Sequence, residues 1–330
     1  MSEYAPPANT PTRTTIRALL DLTSAEAIAR LKARDRRTVA ATITELERLS
    51  PRVPELLEKL QPHLGQALVV GFTGPPGAGK STLVNALIRA LRQAGKTVGV
   101  IAVDPSSPVS GGAILGDRIR MTAALDDDGV FVRSLASRGY LGGLSPAAVR
   151  IIDALDAAGY DVIILETVGT GQNEIDVAEV ADVRVVISAP GLGDEIQAMK
   201  SGLLEIADVL VVNKGDREGA EQTLQQLTGA LSIKTGKAAK VPIIKTTATS
   251  GEGIEQLLDA INQIGEAALE HDVLERRRRR ARYLIARAAS DLVAARIRAG
   301  EGSKLNTLAD DVLSGRLHVN SAAEQILSED

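Results

Sequence analysis

A glycine-rich segment between two apolar patterns has the residue types and spacing of a phosphate-binding loop. Residues 74–81 read GPPGAGKS, which fits G-x-x-x-x-G-K-[ST], and the runs ALVVGF and TLVNALIRAL flank them. Glycines let backbone N–H groups curl around phosphate oxygens, and the N-terminus of the following helix adds a positive dipole end. We expect Lys80 to reach the β- and γ-phosphates and Ser81 to ligate Mg²⁺. The predicted phosphate site comprises Gly74, Pro75, Pro76, Gly77, Ala78, Gly79, Lys80, Ser81 and Thr82.

A second polar segment indicates which base the nucleotide carries. The segment NKGD, with Asn213, Lys214 and Asp216, ends the apolar run DVLVVN and continues past it. A carboxylate at Asp216 can accept hydrogen bonds from the guanine N1–H and exocyclic amine, whereas adenine offers no matching pair and would leave buried groups unsatisfied. Thr247 and Ala248 follow the run VPIIK and are expected to form a last base-contacting loop. The sequence therefore predicts a site for GTP and GDP.

Acidic residues near the ends of other apolar runs are candidate metal ligands. Glu166 ends DVIILE, Asp104 follows TVGVIAV, and Asp117 lies in the segment GGAILGDRIRM. Carboxylates placed there can hold Mg²⁺ or its bound water. We predict a metal site formed by Ser81, Asp104, Asp117 and Glu166.

The catalytic group is predicted from the same segments. Gly169 can offer a backbone N–H to the γ-phosphate and act as the hinge of a loop, so we group it with Lys80, Asp117 and Glu166. Thr170 stands where Ras-like GTPases carry a glutamine, and the sequence does not identify the catalytic base. Candidate arginine fingers, chosen by location alone, are Arg118, Arg120, Arg133 and Arg138.

The elements that must position these residues are short apolar runs alternating with helical patterns. The six runs are ALVVGF, TVGVIAV, DVIILE, VRVVIS, DVLVVN and VPIIK. Runs that are apolar throughout are typical of strands buried on both faces, and their alternation with helices predicts a doubly wound, mostly parallel α/β sheet. The carboxyl ends of such strands share one edge, which is where ligands bind.

Helical patterns precede and follow this region. Thr23 with Glu26 fits a capping box, and Asp35 is a candidate cap for the next helix. We predict a disordered lead-in, an N-terminal helical extension, a P-loop nucleotide-binding domain and a C-terminal helical region at residues 1–14, 15–64, 65–262 and 263–330.

Composition limits the kinds of partner that we expect the protein to bind and the compartment in which we expect it. The chain has 330 residues, a formal charge of −4 and no cysteine. The negative charge argues against nucleic acid as a partner, and the absence of cysteine excludes disulfides and fits a reducing compartment. No apolar run reaches the roughly 18 residues of a membrane span, and the N-terminus lacks the apolar core of a secretory signal. We expect a cytoplasmic protein that does not associate with membranes.

Three longer segments carry a family resemblance. VDPSSPVSGGAILGDRIRM, ETVGTGQNE and PGLGDEIQAMKSGLLEIADVLVVNKGD resemble the MeaB/ArgK family of GTPases, whose human member is MMAA. The match runs from about Leu31 to Asp216. The resemblance implies a P-loop GTPase that uses Mg²⁺ and forms a homodimer through its C-terminal helical region. It also implies a chaperone that delivers adenosylcobalamin to, and protects, an acyl-CoA mutase such as methylmalonyl-CoA mutase. Slow intrinsic hydrolysis, accelerated by the mutase, is implied as well.

The resemblance extends to particular residues. It places Asp104, Asp117 and Glu166 around the metal. It also identifies GLGDEIQAMK, with Asp194, Glu195 and Lys200, as a loop that responds to the partner.

Other functions remain open. A metal-delivery GTPase would need clustered Cys and His ligands, but cysteine is absent and His63, His271 and His318 are scattered. A protein kinase acting on an amino-acid transport binding protein would ordinarily use ATP, so comparing GTP and ATP affinities separates it from a GTPase. The run from Arg276 to Arg280 is either a solvated helix face or an interface charge cluster.

Overall fold

The computed structural model describes most of the chain in two compact units, Met1–Arg279 and Arg280–Asp330. The sequence-based domain boundaries stay predictions. Among the predicted site residues, Asp117, Gly169, Asp194, Glu195 and Lys200 lie outside the described residues. The described residues are 21–48, 50–104, 127–136, 144, 146–167, 173–192, 203–232, 241–270, 273–299 and 302–327.

One parallel sheet organises the first unit. Its seven strands within the described residues lie in the order β3-β2-β4-β1-β5-β6-β7, and every neighbouring pair is parallel. This confirms the predicted doubly wound α/β fold. The strands are β1 (Leu68–Thr73), β2 (Val98–Asp104), β3 (Val130–Ala136), β4 (Val162–Thr167), β5 (Val183–Ser188), β6 (Val209–Val212) and β7 (Ile243–Lys245).

Strand β3 is absent from the six runs predicted from the sequence. It pairs only with β2, at the edge of the sheet. An edge strand is buried less completely, and the half-buried Arg133 and Ser134 interrupt its apolar pattern. The criterion of a continuous apolar run therefore misses it.

Helices cover both faces of the sheet, and the second unit is helical where it is described. A 3₁₀ turn, Gln61–His63, precedes β1. The helices are α1 (Ala25–Lys32), α2 (Arg36–Arg48), α3 (Val53–Leu60), α4 (Lys80–Gln93), α5 (Pro146–Ala157), α6 (Asn173–Val180), α7 (Leu203–Ile206), α8 (Ala220–Ser232), α9 (Ile254–Glu270), α10 (Val273–Ala299), α11 (Gly302–Leu313) and α12 (Val319–Leu327). Among them, none combines the length and apolar character needed to cross a bilayer.

The main apolar core lies between the sheet and helices α4 and α9. Val70, Phe72, Ile164 and Val185 are fully buried in it. On the opposite face, Gly71 lets α6 approach β1 closely, because a Cβ there would lie 2.2 Å from a methyl carbon of Val177. Burial on both faces explains why the central strands are apolar throughout.

Helices α2 and α3 pack on α5, α1 packs on α2, and side-chain caps fix where α1 and α2 begin. The predicted cap of α1 is wrong by one residue: the Ser24 hydroxyl, not that of Thr23, accepts a hydrogen bond from the Ala27 N–H at 3.2 Å. The cap of α2 is as predicted, since Asp35 accepts hydrogen bonds from the N–H and hydroxyl of Thr38 at 2.9 and 2.6 Å.

A buried ion pair joins the start of α10 to the sheet. The Asp182 carboxylate accepts hydrogen bonds from Arg276 at 3.1 Å, Arg279 at 3.0 Å and the Val69 N–H at 3.1 Å. Arg276 also donates to the Gly65 carbonyl at 2.8 Å. The Asp182 side chain is fully buried and that of Arg276 is 6% exposed. Arg276 of the basic run is therefore buried in this ion pair, whereas Arg279 contacts Asp182 and stays 37% exposed.

Candidate nucleotide site

Glycines shape the loop between β1 and α4. Gly74, Gly77 and Gly79 adopt φ values of +141°, +80° and +88°, a region that other residues rarely enter. A Cβ on Gly74 would lie 2.2 Å from the Ile187 carbonyl oxygen, and one on Gly79 would lie 2.5 Å from the Asn213 amide nitrogen. The loop can take this path only with glycine at these positions.

Helix α4 begins immediately after this loop. Its first residue, Lys80, follows Gly79, and no side chain caps the helix. The Lys80 side chain is buried, and its Nζ donates to the carbonyls of Gly74 and Pro75 at 2.7 and 2.9 Å. A positive dipole end and a fixed ammonium group are thus combined in one place, which is the arrangement that phosphate binding requires.

Ser81 and Glu166 bring two oxygen donors together beside the loop. The Ser81 hydroxyl donates to Glu166 Oε1 at 2.6 Å, and Glu166 is buried near the carboxyl end of β4. Strand β2, which ends at Asp104, pairs with β4 and brings its own carboxyl end to the same edge. A hydroxyl beside a carboxylate is a donor set that suits Mg²⁺, a hard cation that binds oxygen ligands.

Asn213 connects the phosphate loop to the predicted base loop. Its amide nitrogen donates to the Ala78 carbonyl at 2.8 Å. Its amide oxygen accepts from the Thr246 hydroxyl at 3.1 Å and from the Ala248 N–H at 3.3 Å. The side chain is buried, so a single amide joins three segments that are distant in the sequence.

The residues after Asn213 form the expected turn. Lys214 has a positive φ of +57°, and its Nζ donates to the Gly77 carbonyl at 2.6 Å. The Gly215 N–H donates to the Thr246 carbonyl at 2.9 Å, and Asp216 is exposed. This leaves the Asp216 carboxylate accessible to a base.

A cavity of about 440 Å³ lies beside the phosphate loop, and Asn213 and Asp216 do not line it. It is lined by phosphate-loop residues together with Glu166 and Lys214, so the structure assembles predicted residues from three segments of the chain. Arg133, a candidate arginine finger, is instead ion-paired with Glu47 and does not line this cavity.

The sequence reasoning missed two contributions to the site. Thr246 is fully buried against Asn213, and its only signal is its place between VPIIK and the predicted Thr247. Lys214 was assigned to base recognition, whereas in the structure its ammonium group supports the phosphate loop at Gly77.

Comparison with known proteins agrees with this geometry. Residues 39–302 match the family model described as "Methylmalonyl Co-A mutase-associated GTPase MeaB". A Pyrococcus horikoshii protein named as a candidate GTPase is 46% identical over 309 residues, which are 92% of this chain and 97% of that protein. GTPase ArgK of Escherichia coli is 45% identical over 200 residues, covering 59% of this chain and 60% of that protein.

A mouse relative and a solved structure extend the comparison. The "Methylmalonic aciduria type A homolog, mitochondrial" of Mus musculus is 36% identical over 214 residues, which are 63% of this chain and 52% of that protein. The crystal structure of a LAO/AO transport system kinase superposes with a TM-score of 0.72 at 28% identity, covering 93% of this chain and 97% of that one. This chain therefore belongs to the MeaB family of GTPases, with a site built to bind guanine nucleotide and hydrolyse GTP.

Proposed function

We propose that the protein is a GTP-dependent chaperone that gates the delivery of adenosylcobalamin to an acyl-CoA mutase and protects that mutase. The partner is methylmalonyl-CoA mutase or a related cobalamin enzyme. The observation that supports this most is the match of residues 39–302 to a mutase-associated family in a chain whose phosphate loop is complete. GTP binding and hydrolysis then determine when adenosylcobalamin passes to the mutase.

The proposed mechanism combines the phosphate loop with a set of hydroxyl and carboxylate oxygens. Backbone N–H groups of the glycine loop and the first turn of α4 bind the phosphates, and Lys80 neutralises charge on the β- and γ-phosphates. Ser81 and Glu166, together with Asp104 and Asp117, would hold Mg²⁺, which would neutralise charge on the phosphate oxygens. A water molecule attacks the γ-phosphorus, and the bond from the γ-phosphorus to the β–γ bridging oxygen breaks. GDP leaves with the electron pair of that bond on its β-phosphate oxygen, inorganic phosphate forms, and the proton of the water passes to solvent.

Coupling to the partner forms the rest of the proposal. Gly169 and the segment with Asp194, Glu195 and Lys200 respond to both the γ-phosphate and the mutase. Intrinsic hydrolysis is slow and the mutase accelerates it. The active form is a homodimer in the cytoplasm, joined through the C-terminal helical region.

A second candidate function is phosphorylation of a transport protein, because the similar solved structure is described as a LAO/AO transport system kinase. That description belongs to the other protein. The exposed carboxylate of Asp216 in the NKGD turn favours guanine over adenine here. A kinase that uses ATP predicts the opposite preference, so nucleotide competition separates the two functions.

Phosphate release with and without a purified adenosylcobalamin-dependent mutase from the same host tests the proposal. We expect the mutase to accelerate GTP hydrolysis, and Lys80→Ala to abolish turnover in both conditions because the γ-phosphate loses its cation. Arg89→Ala is a suitable control, since this exposed residue lies on the same helix. An unchanged rate with the mutase, and cobalamin loading that does not depend on GTP, would refute the chaperone function.

A further inference from the structure

A second large cavity lies among the N-terminal helices, and the nucleotide site does not use it. It measures about 880 Å³, within the range of small-molecule sites, and shares no lining residue with the nucleotide cavity. Helices α1, α2 and α3 and strand β3 contribute to its walls. Its cationic lining residues are Arg30, Arg37, Arg48, Arg52 and Arg133. We call it the arginine cleft.

Helix α2 forms the floor of the arginine cleft. The small side chains of Ala40, Ala41 and Thr44 line it and leave room above the helix. Arg37 and Arg48 are eleven residues apart, which places them on the same face within about 20° and roughly 16 Å apart along the axis. The floor is therefore a shallow groove with a guanidinium group towards each end.

Three of the cations are not neutralised by direct contacts. Arg30 pairs with Glu26, and Arg133 pairs with Glu47. By contrast, the guanidinium groups of Arg37, Arg48 and Arg52 make no hydrogen bond or ion pair with any described residue.

The carboxylates that line the arginine cleft are already occupied. Asp35 caps α2 through Thr38, and Glu45 accepts a hydrogen bond from the Ser50 hydroxyl. Five arginines against these two carboxylates and the paired Glu26 and Glu47 leave a local charge of +1, whereas the whole chain carries −4. Residues 1–20 contain one acidic residue, Glu3, so that segment is a poor source of compensating charge.

We propose that the arginine cleft binds an anionic small molecule that carries two or more phosphate groups, at a site separate from the GTP site. Guanidinium groups match phosphate oxygens through paired N–H donors, which is a reason for arginine rather than lysine at every cationic position. The concave shape and small-residue floor fit a compact ligand better than a flat macromolecular surface. The proposal does not depend on the partner mutase.

Calorimetry with inorganic tripolyphosphate tests this site. The protein is first saturated with GDP in magnesium-free buffer, so that the phosphate loop is filled and the probe is not chelated. The test variant combines Arg37→Gln, Arg48→Gln and Arg52→Gln. The matched control combines Arg89→Gln, Arg278→Gln and Arg316→Gln, which removes the same charge from exposed positions elsewhere.

We expect the wild type to bind tripolyphosphate and the cleft variant to bind it at least about tenfold more weakly. The affinity of the control for tripolyphosphate should change little, because charge-assisted hydrogen bonds to phosphate are lost only in the cleft variant. GDP affinity should stay the same in all three proteins and shows that they are folded. Ala41→Phe keeps every charge and fills the floor, so it should also weaken binding. Equal weakening in the cleft variant and the control, or no binding by the wild type, would overturn the proposal.

Discussion

At the scale of single residues, Asn213 explains why the phosphate and base segments form one site. Its amide bonds to Ala78, Thr246 and Ala248 use both its donor and its acceptor capacity in a buried position. Aspartate at this position would lose the donor, and alanine would lose both groups. The sequence identifies Asn213 as part of a motif, but these partners depend on the tertiary fold and could not be predicted from spacing.

We expect Asp216 to determine the preference for guanine over adenine nucleotides. Replacing it in Asp216→Asn substitutes a donor for one carboxylate oxygen, and hydrogen bonds to charged groups contribute about 1.5–3 kcal/mol. We expect GTP affinity to fall about 10- to 100-fold while ATP affinity stays low and unchanged. Calorimetry with both nucleotides measures this.

Glu218→Gln is the control for that change, because it neutralises a nearby exposed carboxylate. If both variants bound GTP as tightly as the wild type, Asp216 would not be a base-reading residue.

At the scale of elements, strands could be predicted where their sequence is a continuous apolar run. All six apolar runs correspond to strands, including the partly buried edge strand β7, whereas β3, in which Arg133 and Ser134 interrupt the apolar pattern, was missed. Helix starts were predicted less well, since Thr23 and Ser24 are both acceptable caps and local geometry decides between them.

The cap of α2 gives a pH-dependent prediction. Hydrogen bonds from the Thr38 side chain and N–H lower the pKa of Asp35. The folded pKa is then below the unfolded one, so the stabilisation is present above the unfolded value of 3.8 and is lost as pH falls through the folded value. We expect Asp35→Ala to lower the free energy of unfolding by about 1 kcal/mol at pH 7. Below about pH 4 the difference from the wild type should shrink.

Asp35→Asn is the matched variant, because asparagine caps equally well and does not titrate. Urea denaturation at pH 7 and pH 3 compares the three proteins. An Asp35→Ala deficit that is just as large at pH 3 would show that the ionised carboxylate is not what stabilises the cap.

At the scale of the whole molecule, the buried Asp182 group holds the start of α10 against the sheet. The sequence showed the arginine run but not its partner, because Asp182 is about ninety residues away and its burial is a property of the fold. Removing one member of a buried ion pair leaves uncompensated charge and costs about 3–5 kcal/mol.

We therefore expect Asp182→Ala to lower the free energy of unfolding by about 3–5 kcal/mol in urea denaturation. Glu26→Ala removes one member of an exposed pair and should cost less than about 0.5 kcal/mol. Similar losses in the two variants would mean that Arg276 and Arg279 do not depend on Asp182.

The strand order has a consequence for how the chain is made. Strand β1 pairs with β4 and β5, not with β2, so Leu68 meets its partner Val162 only after 94 further residues (162 − 68) have been synthesised. At about 5–20 residues per second, the first apolar strand waits roughly 5–20 seconds on the ribosome without its native neighbours. The newly made protein is thus exposed to aggregation during translation, and slower synthesis lengthens that exposure.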